Sequence, residues 1–439
     1  MASLKDALAR LRDGAAAQRR AMAAVKGTLP SLYADYADLC AAAEDSYKGG
    51  LDAALQSAKD DADYPMPPEI VSWLEGVIRG TAEELSSASP GPSAFLGGSL
   101  CHVPPMAAGA ASLSSCFSGC EALVTAGPID VTGATTVGYL FNGCLSLRAA
   151  SLTGSCESMS ANSMFYNCGL LGALDLSAVT FRSASAQNML SGCVSLRRVT
   201  LAPGSSFSNC YAMLSGCAAL EAVENLDTSA MSGSLYAAFS GCSSLSMDFE
   251  NLAGGVTALQ GAFRMSGLRT VRVGTAGVEA GSMKHLADGC PSLTSVELVG
   301  GTAMATSAYA MFDGCPLLES VRGLDLSGLK IKFGLGDATH EMGLGKLLTG
   351  CPSLTDCRLS GTLYKGGLDL RGAPLLDAAS LLSVAGALYD WDADPDGVET
   401  SDTEFVVYMT AAQQERLRAC DGGEEAYLAA LERGWQIVN

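Results

Sequence analysis

A glycine–cysteine doublet followed three residues on by leucine returns about every two dozen residues through the middle of this chain, and a chain with such a period folds as a stack of equivalent coils. The cysteine falls at Cys120, Cys144, Cys168, Cys193, Cys217, Cys242, Cys290, Cys315 and Cys351, with Ser266 in the slot between Cys242 and Cys290. The steps are 24 or 25 residues, except the last. Three residues before the slot stand Phe117, Phe141, Phe165, Leu190, Leu214, Phe239, Phe263, Phe312 and Leu348, a row broken only by Ala287. Three residues after it stand Leu123, Leu147, Leu171, Leu196, Leu220, Leu245, Leu293, Leu318 and Leu354.

Downstream of each leucine, apolar residues alternate, as in Leu171, Leu174 and Leu176 or Leu293, Val296 and Leu298. That is the period of a half-buried strand. Upstream of the cysteine, runs such as Gln187-Asn188-Met189-Leu190 and Tyr309-Ala310-Met311-Phe312 lack alternation and read as a helical turn or short helix closing the coil. The expected fold is an α/β repeat solenoid, a leucine-rich-repeat-like stack with one short strand and one short helix or turn per coil. One such unit cannot bury its apolar side alone, so the inward residues of neighbours must form continuous rows. The cysteines are one of these rows, and the simplest role for them is a small, polarisable filler of a tight inner corner rather than disulfides or a metal ladder. The chain contains no Cys-x-x-Cys pair, and Cys116 with Cys120 is its closest pair.

Composition fits an extended core. Apolar residues make up 48% of the chain but aromatics only 6%, and 50 glycines mark the corners of many coils. A formal charge of −19 excludes a nucleic-acid partner, whose phosphates demand a basic surface, and disfavours an anionic membrane. No stretch approaches the ~18 apolar residues of a membrane span, and the first residues do not read as a secretory signal. Sixteen cysteines without such a signal point to assembly in a reducing compartment.

Three segments are expected. Residues 1–90 are rich in alanine and charge and read as a helical attachment or oligomerisation module, in which Leu4, Leu8, Leu11, Ala15, Gln18, Met22 and Val25 follow a coiled-coil seam. The seam serves either a homo-oligomer or packing on its own domain. A linker at Ser86–Pro92 leads into the solenoid, 91–372, which carries an insertion near 330–341. Residues 373–439 form a small α+β cap, with a helix over 374–389, an acidic loop, a strand at Phe405–Met409, a helix over 411–433 and a final Trp435–Val438 segment.

The pattern Met-Phe-x-x-Cys-x-x-Leu-x-x-Leu-Asp-Leu-Ser, complete in Met164–Ser177 and nearly so in Met311–Ser327, resembles the BspA-like leucine-rich repeats of bacterial surface proteins and of phages and prophages of gut bacteria. The resemblance covers about residues 100–372, and the ending with Tyr408 and Gly434-Trp435 resembles the tails of such chains. It implies a scaffold for binding. Free thiols and a helical start in place of an export signal favour a phage virion component, tail- or fibre-associated, assembled in the host cytoplasm. Residues 1–90 would then join other virion or surface proteins, and the repeats would meet a host glycan or surface protein. The alternative is a bacterial cell-surface adhesin whose export signal is missing; a carbohydrate-active enzyme is the third class.

No enzyme motif stands out. His102, His285 and His340 are scattered, and Asp175, Asp227, Asp325 and Asp369 occupy equivalent strand ends, where aspartate bonds its own turn more readily than it serves catalysis. Asp392, Asp394 and Asp396 with Gly397 reproduce the first half of a calcium loop, but its twelfth position is Thr403, so no cofactor is expected and calcium is the one candidate ion. Tyr139, Tyr166, Tyr211, Tyr236 and Tyr309 fall in the helical half of their repeats and are candidate contact aromatics, or else packing between coils.

Overall fold

The computed structural model describes residues 93–98, 102–103, 106–107, 109, 112–157, 160–252, 255–276, 278, 283–300, 302, 307–325, 327, 344–363, 366–389 and 405–439. The helical module expected over 1–90, the insertion at 330–341 and the acidic loop with Asp392, Asp394 and Asp396 lie outside the described residues.

The described residues form a right-through stack of parallel strands, a repeat solenoid. On its broad side run β1 (His102–Val103), β2 (Thr125–Asp130), the first half of β3 (Ala149–Glu157), β4 (Ala173–Leu176), β7 (Arg198–Leu201), β9 (Ala222–Glu224), β11 (Asp248–Asn251), β13 (Thr270–Gly274), β14 (Ser295–Val299), β15 (Ser320–Asp325) and β16 (Asp356–Ser360). They pair in the orders β1-β2-β3, β4-β7-β9 and β11-β13-β14-β15-β16, every pair parallel and displaced by one coil, as in Val271↔Val296 and Val296↔Val321. The alternation holds: Val271, Val273, Val296, Leu298 and Val321 are buried, while Arg272 and Arg322 face out.

A second strand per coil departs from the expected single one. β5 (Val179–Arg182), β6 (Ala184–Ser185), β8 (Phe207–Asn209), β10 (Gly233–Ser234) and β12 (Val256–Ala258) form short parallel rungs on another side, with β5 continuing along the second half of β3. Buried Val179, Phe181, Phe207 and Val256 anchor them. Their shortness kept the period-2 signal below notice.

The segment before each cysteine is a turn, not a helix, in the described coils. In Val137–Cys144 the amides alternate: Leu140, Asn142 and Cys144 bond back three residues, while Tyr139, Phe141 and Gly143 donate to the Asn162, Met164 and Tyr166 carbonyls of the next coil at 2.8 Å. A helix would spend all of these donors internally, leaving none to hold the neighbouring coil. The turn demands left-handed backbone five residues and one residue before the slot, as at Ala212 (φ 48°) and Gly216 (φ 78°). Glycine holds the second of these because a bare Cα there packs on the glycine one coil below; a Cβ on Gly241 would lie 3.4 Å from the Cα of Gly216.

Inward residues form the rows expected of a solenoid. Phe95, Phe117, Phe141 and Phe165 stack with ring centroids 5.5, 5.6 and 5.3 Å apart. Phe95 belongs to an additional half-coil at Ser93–Gly98, whose amides bond to Ser114, Cys116 and Ser118, and which has Gly98 where the cysteine would be.

The far end is closed by β17 (Gly366–Asp369), β18 (Phe405–Tyr408) and β19 (Gln436–Val438), a parallel sheet, with α1 (Ala378–Ala387), α2 (Ala411–Arg418) and α3 (Gly423–Glu432). The expected helix over 411–433 breaks at Gly422, whose φ of 76° is left-handed, and α2 begins with a capping box between Thr410 and Gln413. Helix α1, N-capped by Asp377, covers the open edge of β16. The Ser380 hydroxyl accepts from the Cys357 amide at 2.9 Å and that of Ser383 from the Leu359 amide at 3.0 Å, so the last repeat strand has no bare donors at these positions to recruit another strand.

Candidate functional site

Each cysteine of the row does the same thing. Its Sγ donates to the backbone carbonyl three residues before the preceding slot: Cys144 to Phe117, Cys168 to Phe141, Cys193 to Phe165, Cys217 to Leu190 and Cys242 to Leu214, at 3.1 to 3.2 Å. Cys290, Cys315 and Cys351 continue the series to Phe263, Ala287 and Phe312, and Cys120 reaches Phe95. That carbonyl already accepts the amide of its own turn, so the thiol fills its second lone pair. Ser266 fits the slot but has a shorter bond to its donor atom, and its Oγ lies 3.6 Å from Cys290 Sγ instead. All nine thiols are buried, and burial pushes those of Cys144, Cys217 and Cys351 up to about 12, which keeps these three protonated at neutral pH. Iodoacetamide applied to native protein at pH 8 should leave the nine row cysteines unmodified and label half-buried Cys420, with the row labelled only after denaturation. Peptide mass spectrometry reads the result, and row labelling at the rate of Cys420 would refute a closed corner.

The aspartate row is made of turn-formers. In Asp175, Asp227, Asp325 and Asp369 one Oδ1 accepts the amide two residues on, at 2.8 to 3.0 Å, and Asp130 does the same with Thr132. The Ser177 and Thr132 hydrogen bonds hold the Asp175 and Asp130 carboxyls below the ordinary range. A depressed folded-state value contributes stability above the unfolded carboxylate value near ~3.9, lost as pH falls through the folded one. Melting temperature should therefore fall as pH drops below ~4, with a smaller drop in Asp175→Asn; an equal drop would remove Asp175 from the account.

The five tyrosines do not form one site. Tyr211 and Tyr236 stack on each other at 4.7 Å with planes 6° apart, which occupies the facing ring surfaces, and Tyr309 meets His285 edge-on at 5.6 Å. Tyr139 and Tyr166 stand three and two coils before Tyr211, with Tyr139 exposed at a left-handed position. His285 Nδ1 lies 2.8 Å from Asp288, whose carboxylate also takes Arg264 at 3.0 Å; burial, then the charge of Asp288, raises the neighbouring Asp313 carboxyl. His102 lies on β1, and His340 lies outside the described residues. Among the described residues no three His, Cys, Asp or Glu side chains are grouped to hold a metal.

The residues with the most ordered outward placement went unselected in the sequence, although the polar half of the strand alternation marks them. On the broad side Arg198 bonds Glu224 at 2.8 Å, Asp248 takes Arg269 at 3.1 Å and Thr270 at 2.9 Å, and Arg272 bridges Glu250 at 2.9 Å and Glu297 at 2.7 Å. At the end of this face Arg322 and Arg358 share one carboxylate, Asp356, at the longer distances of 3.6 and 3.3 Å. The coil-to-coil backbone rungs hold all of these side chains in register, giving a polar face of alternating charge. No family model matches the chain, and no curated protein matches it.

Proposed function

We propose that this chain is a non-enzymatic recognition protein of the BspA-like leucine-rich-repeat type, carried on a phage particle as a tail- or fibre-associated component. In this reading residues 1–90 attach it to other virion proteins or to sister copies, and the repeats meet a host glycan or surface protein. The observation that carries the reading is the broad strand face: a polar surface on successive coils whose side chains are fixed by parallel backbone rungs and by ion pairs across strands. Such a face is preorganised, so a ligand does not meet the cost of ordering it. The aspartates most readily suspected of catalysis are each occupied by the turn that follows them.

Mass spectrometry of purified virions and of washed host cells tests the assignment. Recovery at a fixed ratio to capsid and tail proteins is the expected outcome. Recovery with cell envelopes alone sinks the particle reading and makes a bacterial surface adhesin the better one.

A further inference from the structure

We infer that Arg322 and Arg358 form a clamp for the carboxylate of an acidic saccharide. The inference rests on the reading that the repeats contact a host surface glycan and adds the chemistry of what is bound.

The two arginines lie on neighbouring parallel strands, β15 and β16. Register there runs Val321↔Cys357 and then Leu324↔Leu359, so Arg322 and Gly323 together oppose Arg358. This is a bulge, a device that re-aims a side chain, and Gly323 makes it with a φ of 80° where a Cβ would run into the Leu298 carbonyl. The register Val321↔Cys357 already sets Arg322 beside Arg358, an arrangement of like charges that costs stability on a sheet, and the bulge follows immediately after them.

The surroundings do not neutralise that pair well. Elsewhere in the described residues Arg198, Arg264, Arg269, Arg272, Arg371 and Arg418 each hydrogen-bond a carboxylate at 3.1 Å or less. Arg322 and Arg358 have only Asp356 between them, and its Oδ1 is buried without a hydrogen-bond partner although it lies 3.3 Å from Arg358 Nε. Their side chains stay 68% and 65% exposed. In a chain of net charge −19, two adjacent, weakly paired arginines on a bulged strand mark a place where an outside acceptor is missing. The guanidinium fork matches the plane of a carboxylate, and two forks one strand apart, at about 4.8 Å, can take both of its oxygens. Glu297, opposite Arg322 on β14, is tied to Arg272 at 2.7 Å.

The test uses the full chain on immobilised polygalacturonate oligomers, sulfated dextran and neutral dextran, read by biolayer interferometry at two salt concentrations. The expected result is salt-sensitive binding to polygalacturonate that weakens roughly tenfold or more in the double variant Arg322→Gln, Arg358→Gln and survives in Arg182→Gln, an exposed arginine on β5. Both substitutions are at exposed positions, and matching thermal melts confirm that the double variant is folded. Absence of binding to polygalacturonate, equal binding by the double variant, or preference for sulfated dextran each overturns the carboxylate clamp. Labelled protein on host cells separates the two levels: cell binding unchanged in the double variant removes the clamp and keeps the recognition role, whereas polygalacturonate binding without any cell binding keeps the clamp and removes that role.

Discussion

Replacing Phe141 with alanine lowers the unfolding free energy by about 3–5 kcal/mol, the cost of a large cavity in a core that cannot close around it. The ring is fully buried and lies between Phe117 and Phe165, 5.6 and 5.3 Å away, so the substitution empties one rung of a continuous aromatic row. The turn around it cannot collapse inward, because the Phe141 amide is held by the Met164 carbonyl at 2.8 Å. In a stack whose coils meet only their neighbours, the damage stays local and uncouples the coils on either side. Hydrogen exchange should show lost protection concentrated at Val137–Cys168, together with a lower urea midpoint. A loss under ~1 kcal/mol would mean that the row is not the main source of cohesion between these coils.

Gln413→Leu is expected to cost about 2–5 kcal/mol, although leucine is nearly the same size and more apolar. Gln413 is fully buried, and its Nε2 donates to the Leu370 carbonyl at 3.0 Å and the Ala373 carbonyl at 2.9 Å, while Oε1 accepts from the Thr410 amide at 2.8 Å. Leucine leaves the Thr410 amide without its acceptor and the Leu370 and Ala373 carbonyls with only the amides of Ala373 and Leu376. Trp435, buried in the cap with its Nε1 on the Tyr389 carbonyl at 3.1 Å, supplies the readout: its fluorescence should shift red in the variant before the stack melts. Unchanged emission and an unchanged melt would show that the amide is dispensable.

Gln413 also completes a series that the sequence conceals. Leu370 precedes Ala373 by three residues, the relation of phenylalanine or leucine to the cysteine slot, and Leu376 follows by three, so a partial coil exists here without its cysteine. The carbonyl that a further cysteine would have met is met by a glutamine 43 residues away in sequence. Gly98 ends the series at the other side, with no earlier coil below it among the described residues to receive a thiol bond.

What was legible followed from strict repetition. The cysteine, phenylalanine and leucine rows were visible because each has one job at a fixed step, and the strand faces followed from their alternation. The closing turn was misread because its conformation is imposed by the next coil rather than by local propensity: the left-handed position is filled by Tyr139, Asn188, His285 and Lys346 alike, residues that share no turn signature. A fainter row was overlooked. Ser112, Thr136, Asn209, Ser234 and Ser307, eight residues before the slot, accept the amide two residues on and open the turn. The Arg322–Arg358 pairing was passed over although each arginine stands seven residues after its slot cysteine, because the step between Cys315 and Cys351 is stretched and hides the equivalence.

The alternation of amides in the closing turns has a mechanical meaning. A chain tugged from its two ends loads the rungs between coils, and these are nearly equal from one coil to the next, so the stack yields by peeling in equal steps instead of rupturing at once. Each step but the longer one between Cys315 and Cys351 releases 24 or 25 residues, about 80 Å of slack, while the coils that remain keep their bonds.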